Sequence, residues 1–205
     1  MPAATTNNLE GADGGVSAVA LFDTAIGRCA LAWRPNVVLA FALPAGDDAA
    51  LIGQIRSCAP GGCERAPDSF AADVIAGVQA LLSGEPDMLK HVPVDFGAVP
   101  PFERAVYQAL REVGPGETVT YGELAARCGA PGAARAVGAA MGRNPVPVIV
   151  PCHRVLASGG RSGGFSAPGG VSTKFRILQI EQAGKGGSGL FHDLPLAVRP
   201  GSGAD

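Results

Sequence analysis

Cys152 is followed directly by His153, and of the five cysteines in the chain (Cys29, Cys58, Cys63, Cys128 and Cys152) it alone has a histidine beside it. A thiol of ordinary acidity is largely protonated at neutral pH, and the thiolate is the nucleophile, so an adjacent base defines a chemistry: attack by sulfur once its proton has been removed. Side chains that follow one another on an extended segment point to opposite faces, so His153 would reach the thiol through a bridging water. Adjacency alone still favours a structural cysteine. Glu181 shifts the balance a little. It lies near the apolar side of the last predicted helix, in the final turn, where the helix dipole disfavours a carboxylate. Pairing with His153, which would orient and charge the imidazole, accounts for that placement; a solvated helix end accounts for it equally well. Arg135 is the third residue of interest. It falls on a helix rich in alanine and glycine, on the face away from Ala133, Ala136 and Val137. An exposed arginine for solubility is the plain reading. Small residues around an arginine also suit a helix that approaches a nucleic-acid groove closely.

These residues need elements to hold them. Ala18 to Trp33, with a break at Asp23–Gly27, reads as a β-hairpin, and Val37 to Leu43 as a third strand ended by Pro44. Asp47 or Asp48 would cap a helix to about Cys58, and Asp68 one with Phe70, Val74, Val78 and Leu81 on one face and Gly84 beyond its end. Residues 85–101 contain four prolines and little periodicity, and make the best linker. A helix resumes at Phe102 and stops at Gly114-Pro115-Gly116. Thr120-x-x-Glu123 is a capping box for a short helix to Cys128. After Ala130-Pro131-Gly132, a second helix repeats Ala133, Ala136, Val137, Ala140 and Met141 at helical spacing. Two short helices about a glycine-containing turn suggest a helix-turn-helix. Asn144-Pro145-Val146-Pro147 then leads to a strand-like Val148-Ile149-Val150, the Cys152 segment, a Gly-rich loop to Gly170 and a last helix from about Val171 to Ala183.

Composition narrows the class. The chain has 205 residues, 47% hydrophobic and 17% charged, with a net charge of −2, which is globular and argues against a strongly basic nucleic-acid binder. The charge is unevenly spread. Val16–Pro101 carries five Arg or Lys against nine Asp or Glu, whereas Phe102–Ala183 carries nine against five, so only the second half is expected to meet phosphates. No apolar run has the length of a membrane span, and the first fifteen residues lack the basic start and apolar stretch of a signal peptide; a cytoplasmic protein is expected. With an odd cysteine count in such a chain, no disulfide framework is expected. Cys58-x4-Cys63 with His91 further on matches no compact zinc pattern, and no metal is expected.

Pro151-Cys152-His153-Arg154-Val155 resembles the active-site motif of the O6-alkylguanine-DNA alkyltransferases, also called methylated-DNA–protein-cysteine methyltransferases. Thr120-Tyr121-Gly122-Glu123-Leu124-Ala125, Ala134-Arg135-Ala136-Val137-Gly138 and Asn144-Pro145-Val146-Pro147 resemble the family's other blocks in order and spacing, so the likeness runs from about Phe102 to Glu181. It implies an α/β amino-terminal domain with a ribonuclease-H-like sheet, followed by a mainly helical carboxy-terminal domain containing a helix-turn-helix. The boundaries would be a disordered tail at 1–15, the first domain at 16–95, the second at 96–183 and a second disordered tail at 184–205. The implied activity is irreversible, single-turnover transfer of an alkyl group from O6-alkylguanine, and O4-alkylthymine, in double-stranded DNA to Cys152, by a monomer without a cofactor. By the resemblance His153 takes the thiol proton through a water and Glu181 holds the imidazole. Asn144 ties the recognition helix to the active-site turn. Arg135 replaces the base rotated out of the duplex, and Tyr121 crowds the target phosphate and bonds the flipped guanine. The Val155 backbone and Ser166 bind the base edge, and Met141 and Pro147 line the pocket. The loop Gly163–Gly170 is about two residues longer than the family's shortest versions, which bears on Ser166.

Two other classes share some of these features. A non-enzymatic lesion binder would use the same two helices and Arg135 but has no need of Pro-Cys-His-Arg. A cysteine hydrolase would use Cys152 and His153 but would leave the Tyr121 and Arg135 blocks without a task.

Overall fold

The computed structural model describes residues 17–86, 89–159 and 161–181. The expected tails at 1–15 and 184–205, and the last two residues of the expected final helix, lie outside them.

Strands β1 (Ala18–Thr24) and β2 (Gly27–Arg34) form the expected hairpin, and β3 (Val37–Ala42) pairs antiparallel with β2. A two-residue strand, β4 (Cys63–Glu64), adds parallel to β1, giving the order β3-β2-β1-β4. Alternation along the strands sorts the sheet into two faces. Val19, Ala30, Ala32, Ala40 and Ala42 meet Leu51 and Ile55 of helix α1 (Asp48–Cys58), capped by Asp47. The alanines keep that face low, so α1 lies close to the sheet. Cys29, Leu31, Trp33 and Val38 meet helix α2 (Ser69–Leu82) on the other face. Asp68 caps α2 with one carboxylate oxygen and accepts the Trp33 indole N–H with the other, at 2.8 and 3.0 Å.

That second face does not close on itself. Its core continues without a break into helix α3 (Pro101–Leu110), through Val106, Tyr107 and Leu110. The segment read as a linker is packed along this route. Leu89 and Val92 are buried, and one Arg111 nitrogen donates to the carbonyls of Leu89, Lys90 and Val92 at 2.7–2.9 Å. Prolines removed the periodicity that would have signalled structure there, but an extended strap fixed by arginine needs none.

Strand β5 (Val119–Thr120) leads into α4 (Tyr121–Arg127), whose capping box is complete: Thr120 and Glu123 each bond the other's backbone. Helix α5 (Ala134–Gly142) follows and buries Val137, Ala140 and Met141; Ala136, expected on the same face, is exposed. The Tyr107 hydroxyl donates to the Ala140 carbonyl at 2.8 Å, and Arg143 at the end of α5 grips Glu103 of α3 at 2.7 Å. The strand expected at Val148–Val150 is instead a buried turn in which Val148 has φ +75°, a strained setting for a β-branched residue. Three consecutive β-branched residues looked like a strand because they are apolar; here they are turned inward as a loop. Strand β6 (Val155–Leu156) pairs parallel with β5, and α6 (Gly170–Ile180) closes the described chain with Glu181 as its C-terminal cap. Among the described residues no helix is long and apolar enough to cross a membrane.

Candidate active site

Cys152, His153 and Arg154 form one turn of 3-10 helix, not the extended segment expected, and all three side chains are buried. The turn departs from the Val148–Val150 loop, which Asn144 holds in shape. The Asn144 amide donates to the Val150 carbonyl at 2.8 Å and its oxygen accepts from the Val146 N–H at 3.1 Å. The end of α5 and the cysteine turn are thus joined through one side chain.

The pairing of His153 with Glu181, left open by sequence, is present: Nε2 lies 2.9 Å from Oε1. Arg154 joins them, and nothing in the periodicity of the sequence pointed to it. Its Nη2 donates to Oε1 of Glu181 at 2.6 Å, its Nε to Oε2 at 3.0 Å and its Nη1 to the Val113 carbonyl at 2.5 Å. Burial alone would raise the Glu181 pKa, but His153 and Arg154 outweigh it and hold it down to about 2. Burial, with Arg154 and Lys174 assisting, lowers the His153 pKa despite Glu181. The imidazole is therefore neutral at pH 7, with Nε2–H on Glu181 and the Nδ1 lone pair free to accept a proton. Glu181 orients this histidine; its negative charge is met by Arg154.

Burial pushes the Cys152 thiol upward, against the opposing pulls of Asn144, Lys174 and nearby backbone N–H groups. At rest the sulfur carries its proton. Lys174 was also missed, since a lysine on an amphipathic helix reads as solvent-facing. It is fully buried, its ammonium donating to the carbonyls of Val155 and Ser162 at 2.6 Å, and burial lowers its pKa to about 8.

Two clefts meet at Cys152. One, of about 280 Å³, is lined by Tyr121, Met141, Cys152 and Ser166 together with Gly138 and Phe165. The Tyr121 ring stands between α5 and the Gly-rich loop. Gly163 passes so close, at φ +66°, that a Cβ there would lie 2.9 Å from the ring, so that position requires glycine. The second cleft, of about 190 Å³, is lined by Asn144, Pro147, Met141 and Ser166 on one side and by residues of β3 and α1 on the other. Six of the ten residues singled out in the sequence therefore line a cleft at the sulfur, and His153 and Glu181 form the buried pair next to it. Arg135 is exposed on α5, outside both clefts. Val155 is fully buried and lines neither; its N–H bonds the Cys152 carbonyl and its own carbonyl accepts Lys174.

Residues 101–183 match the family model for the 6-O-methylguanine DNA methyltransferase, DNA binding domain. The Mycobacterium tuberculosis protein OGT, solved in complex with DNA, superposes with a TM-score of 0.65 at 32% identity, over 80% of this chain and 92% of that one. The chain belongs to the O6-alkylguanine-DNA alkyltransferase family. The O6-methylguanine-DNA methyltransferase of Pyrococcus kodakaraensis superposes with a TM-score of 0.63 at 29% identity, over 80% of this chain and 98% of that one. A methylated-DNA–protein-cysteine methyltransferase of Salmonella typhimurium is 52% identical over 81 residues, 40% of this chain and 46% of its own length. In sequence, then, the match spans about half the length of such curated relatives, and it falls on the half that carries Cys152. In structure the likeness reaches further: the mixture of sheet and helices follows the solved members of the family over 80% of the chain.

Proposed function

We propose that this protein removes alkyl groups from O6-alkylguanine, and from O4-alkylthymine, in double-stranded DNA by transferring them irreversibly to Cys152, once per molecule. The observation that carries the reading is a buried thiol flanked by a neutral, carboxylate-held histidine at the mouth of a cleft large enough for a flipped base. In an in-line displacement the bond from sulfur to the alkyl carbon forms as the bond from that carbon to O6 breaks. The electron pair leaves on the guanine oxygen, and the thiol proton passes through a water to Nδ1 of His153. The thioether has no easy reverse step, so the protein is consumed.

The remaining roles are those the family resemblance implies. Tyr121, beside the cleft, bonds the flipped guanine and crowds its phosphate, while Ser166 and the Val155 backbone bind the base edge, and Met141 and Pro147 line the pocket. Arg135 is free to enter the duplex from the exposed face of α5. In this reading α4, its turn and α5 act as a helix-turn-helix. The sheet half, residues 16–95, is a ribonuclease-H-like domain that braces residues 96–183, and the protein works as a monomer without a cofactor.

Cys152→Ser tests the reading. The hydroxyl is close in shape but a far weaker nucleophile at pH 7. Methyl transfer from a duplex oligonucleotide is expected to vanish while binding to that duplex stays within about twofold of wild type, a difference well below 1 kcal/mol. A serine variant that still clears methyl groups refutes it. Turnover beyond one methyl per wild-type molecule would instead favour a hydrolase.

A further inference from the structure

The thiol pair Cys58-x4-Cys63 takes no part in the proposed transfer. We infer that Cys58 and Cys63 are a modification site, a dithiol that closes reversibly to a disulfide and so takes up oxidising equivalents before they reach Cys152. The guarding role rests on the proposed transfer to Cys152; the bridge itself does not.

A tight turn separates the two thiols. Pro60 and Gly61 occupy its central positions, with Gly61 at φ +77°, the signature of a type II turn from Ala59 to Gly62. A Cβ on Gly62 would lie 2.7 Å from Cγ2 of Val19, so the turn is seated against β1. Its two feet are fixed. The Ala59 N–H donates to the Ile55 carbonyl at 2.8 Å, closing α1, and the Cys63 N–H donates to the Ser17 carbonyl at 2.8 Å, opening β4. Such a turn holds its ends less than about 7 Å apart, and the Cα atoms joined by a disulfide stand about 4.4–6.8 Å apart. Cys58 and Cys63 are the residues next outside those ends. The Cys63 sulfur already leans back over the turn, 3.9 Å from the Gly61 carbonyl oxygen. Rotation of the Cys58 side chain, with a small shift of the last helical turn, brings the sulfurs together.

Accessibility decides which thiols react first. Of the five cysteines, only Cys58 and Cys63 are exposed. Cys29 and Cys152 are buried, and burial pushes both thiols upward, Cys29 to about 11, which depletes the thiolate that would attack an oxidant. Cys58 also lines the cleft that Cys152 lines from its buried end, so a small reagent entering there meets an exposed thiol as well as a buried one. With a low-molecular-weight disulfide RSSR as oxidant, the Cys58 thiolate attacks one sulfur, giving a mixed disulfide and RSH. The Cys63 thiolate then attacks the Cys58 sulfur, which forms the Cys58–Cys63 bond and expels the second RSH. The protein loses a pair of hydrogens, the oxidant gains them, and Cys152 keeps its proton. Excess thiol reverses both steps.

The test treats the full, reduced chain with an equimolar amount of oxidised glutathione. Intact mass, peptide maps made before reduction and methyl transfer from a duplex carrying O6-methylguanine are then read. The wild type is expected to lose the mass of a hydrogen pair, to carry that loss on the tryptic peptide holding both Cys58 and Cys63, and to keep Cys152 free; dithiothreitol should restore the starting mass. Cys63→Ser, at an exposed position outside both clefts, is expected to transfer methyl as the wild type does when reduced. After the same treatment it should carry Cys152 in disulfide form at least about fivefold more often than the wild type. Glutathione adducts at Cys58 or Cys63 without a bridge, a bridge to Cys152 in the wild type, or a Cys63→Ser variant whose Cys152 stays equally free would each overturn the inference and leave the proposed function standing. A reduced wild type that transfers no methyl would overturn the proposed function and the guarding role with it, while the mass and the peptide maps still decide the bridge.

Discussion

At the scale of single residues, the chemistry depends on which groups carry charge in a buried place. Cys152 is held as a thiol by burial, so alkyl transfer should accelerate as pH rises from 6 to 9, tracking the thiolate fraction, with no plateau in that range. A rate flat over those pH values would mean a thiolate already formed at rest. Arg154 makes a second expectation. Its guanidinium neutralises Glu181 and also depresses His153. Arg154→Met should therefore raise the His153 pKa, read from the imidazole carbon proton by NMR, and destabilise the protein by about 3–5 kcal/mol, because a buried carboxylate loses its main partner. An imidazole titration that stays in place would show that Arg154 does not tune His153. Glu181 sets the acid limit. Its folded pKa of about 2 lies below its ordinary 4.5, so its contribution is fully present above pH 4.5 and is lost as pH falls toward 2. Acid unfolding should lose slope in that window in Glu181→Gln, after allowing for its lower starting stability.

At the scale of elements, α5 must be stiff and exposed at once: Arg135 faces solvent while Tyr107 and the Arg143–Glu103 pair fasten the inner side. Tyr107→Phe leaves the buried Ala140 carbonyl without its donor and should cost about 1–3 kcal/mol, measured by urea unfolding. Arg135→Ala should slow repair of saturating duplex by about tenfold or more relative to a free alkylated guanine base, because unstacking costs a few kcal/mol only when there is a stack. Equal slowing on both substrates would make Arg135 a support for the fold. Most elements were readable in the sequence. Asp68, the Thr120–Glu123 box and the glycine stops act locally, and local signals survive in a sequence. Three features were not readable. Val148–Val150 is apolar without being extended, since its shape is imposed by Asn144. The strap at 89–99 is held by arginine bonds to carbonyls, which no periodicity records. Lys174 and Arg154 are buried by partners distant in sequence: carbonyls of the Gly-rich loop for Lys174, and Glu181 and the Val113 carbonyl for Arg154.

At the scale of the whole molecule, the sheet half and the site half share one apolar core from Leu31 and Trp33 through Leu82 to Tyr107 and Ile177. Arg176 of α6 adds bonds to the carbonyls of Ala25 and Ile26 in the first hairpin. Such sharing predicts a single cooperative unfolding transition, with calorimetric and van't Hoff enthalpies in agreement; two resolved transitions would mean that the halves are independent. The charge asymmetry seen in the sequence then has a mechanical sense. An acidic sheet half packs against the basic half that holds Cys152, and residues of β3 and α1 line one of the clefts at the sulfur. The proposed transfer is one event at one atom. The most direct test is the intact mass of the protein after mixing with excess duplex containing O6-methylguanine, followed by peptide mapping. A stoichiometric gain of one methylene's mass is expected, located on Cys152 and stable on standing. No gain, a gain on another residue, or an adduct that turns over would contradict it.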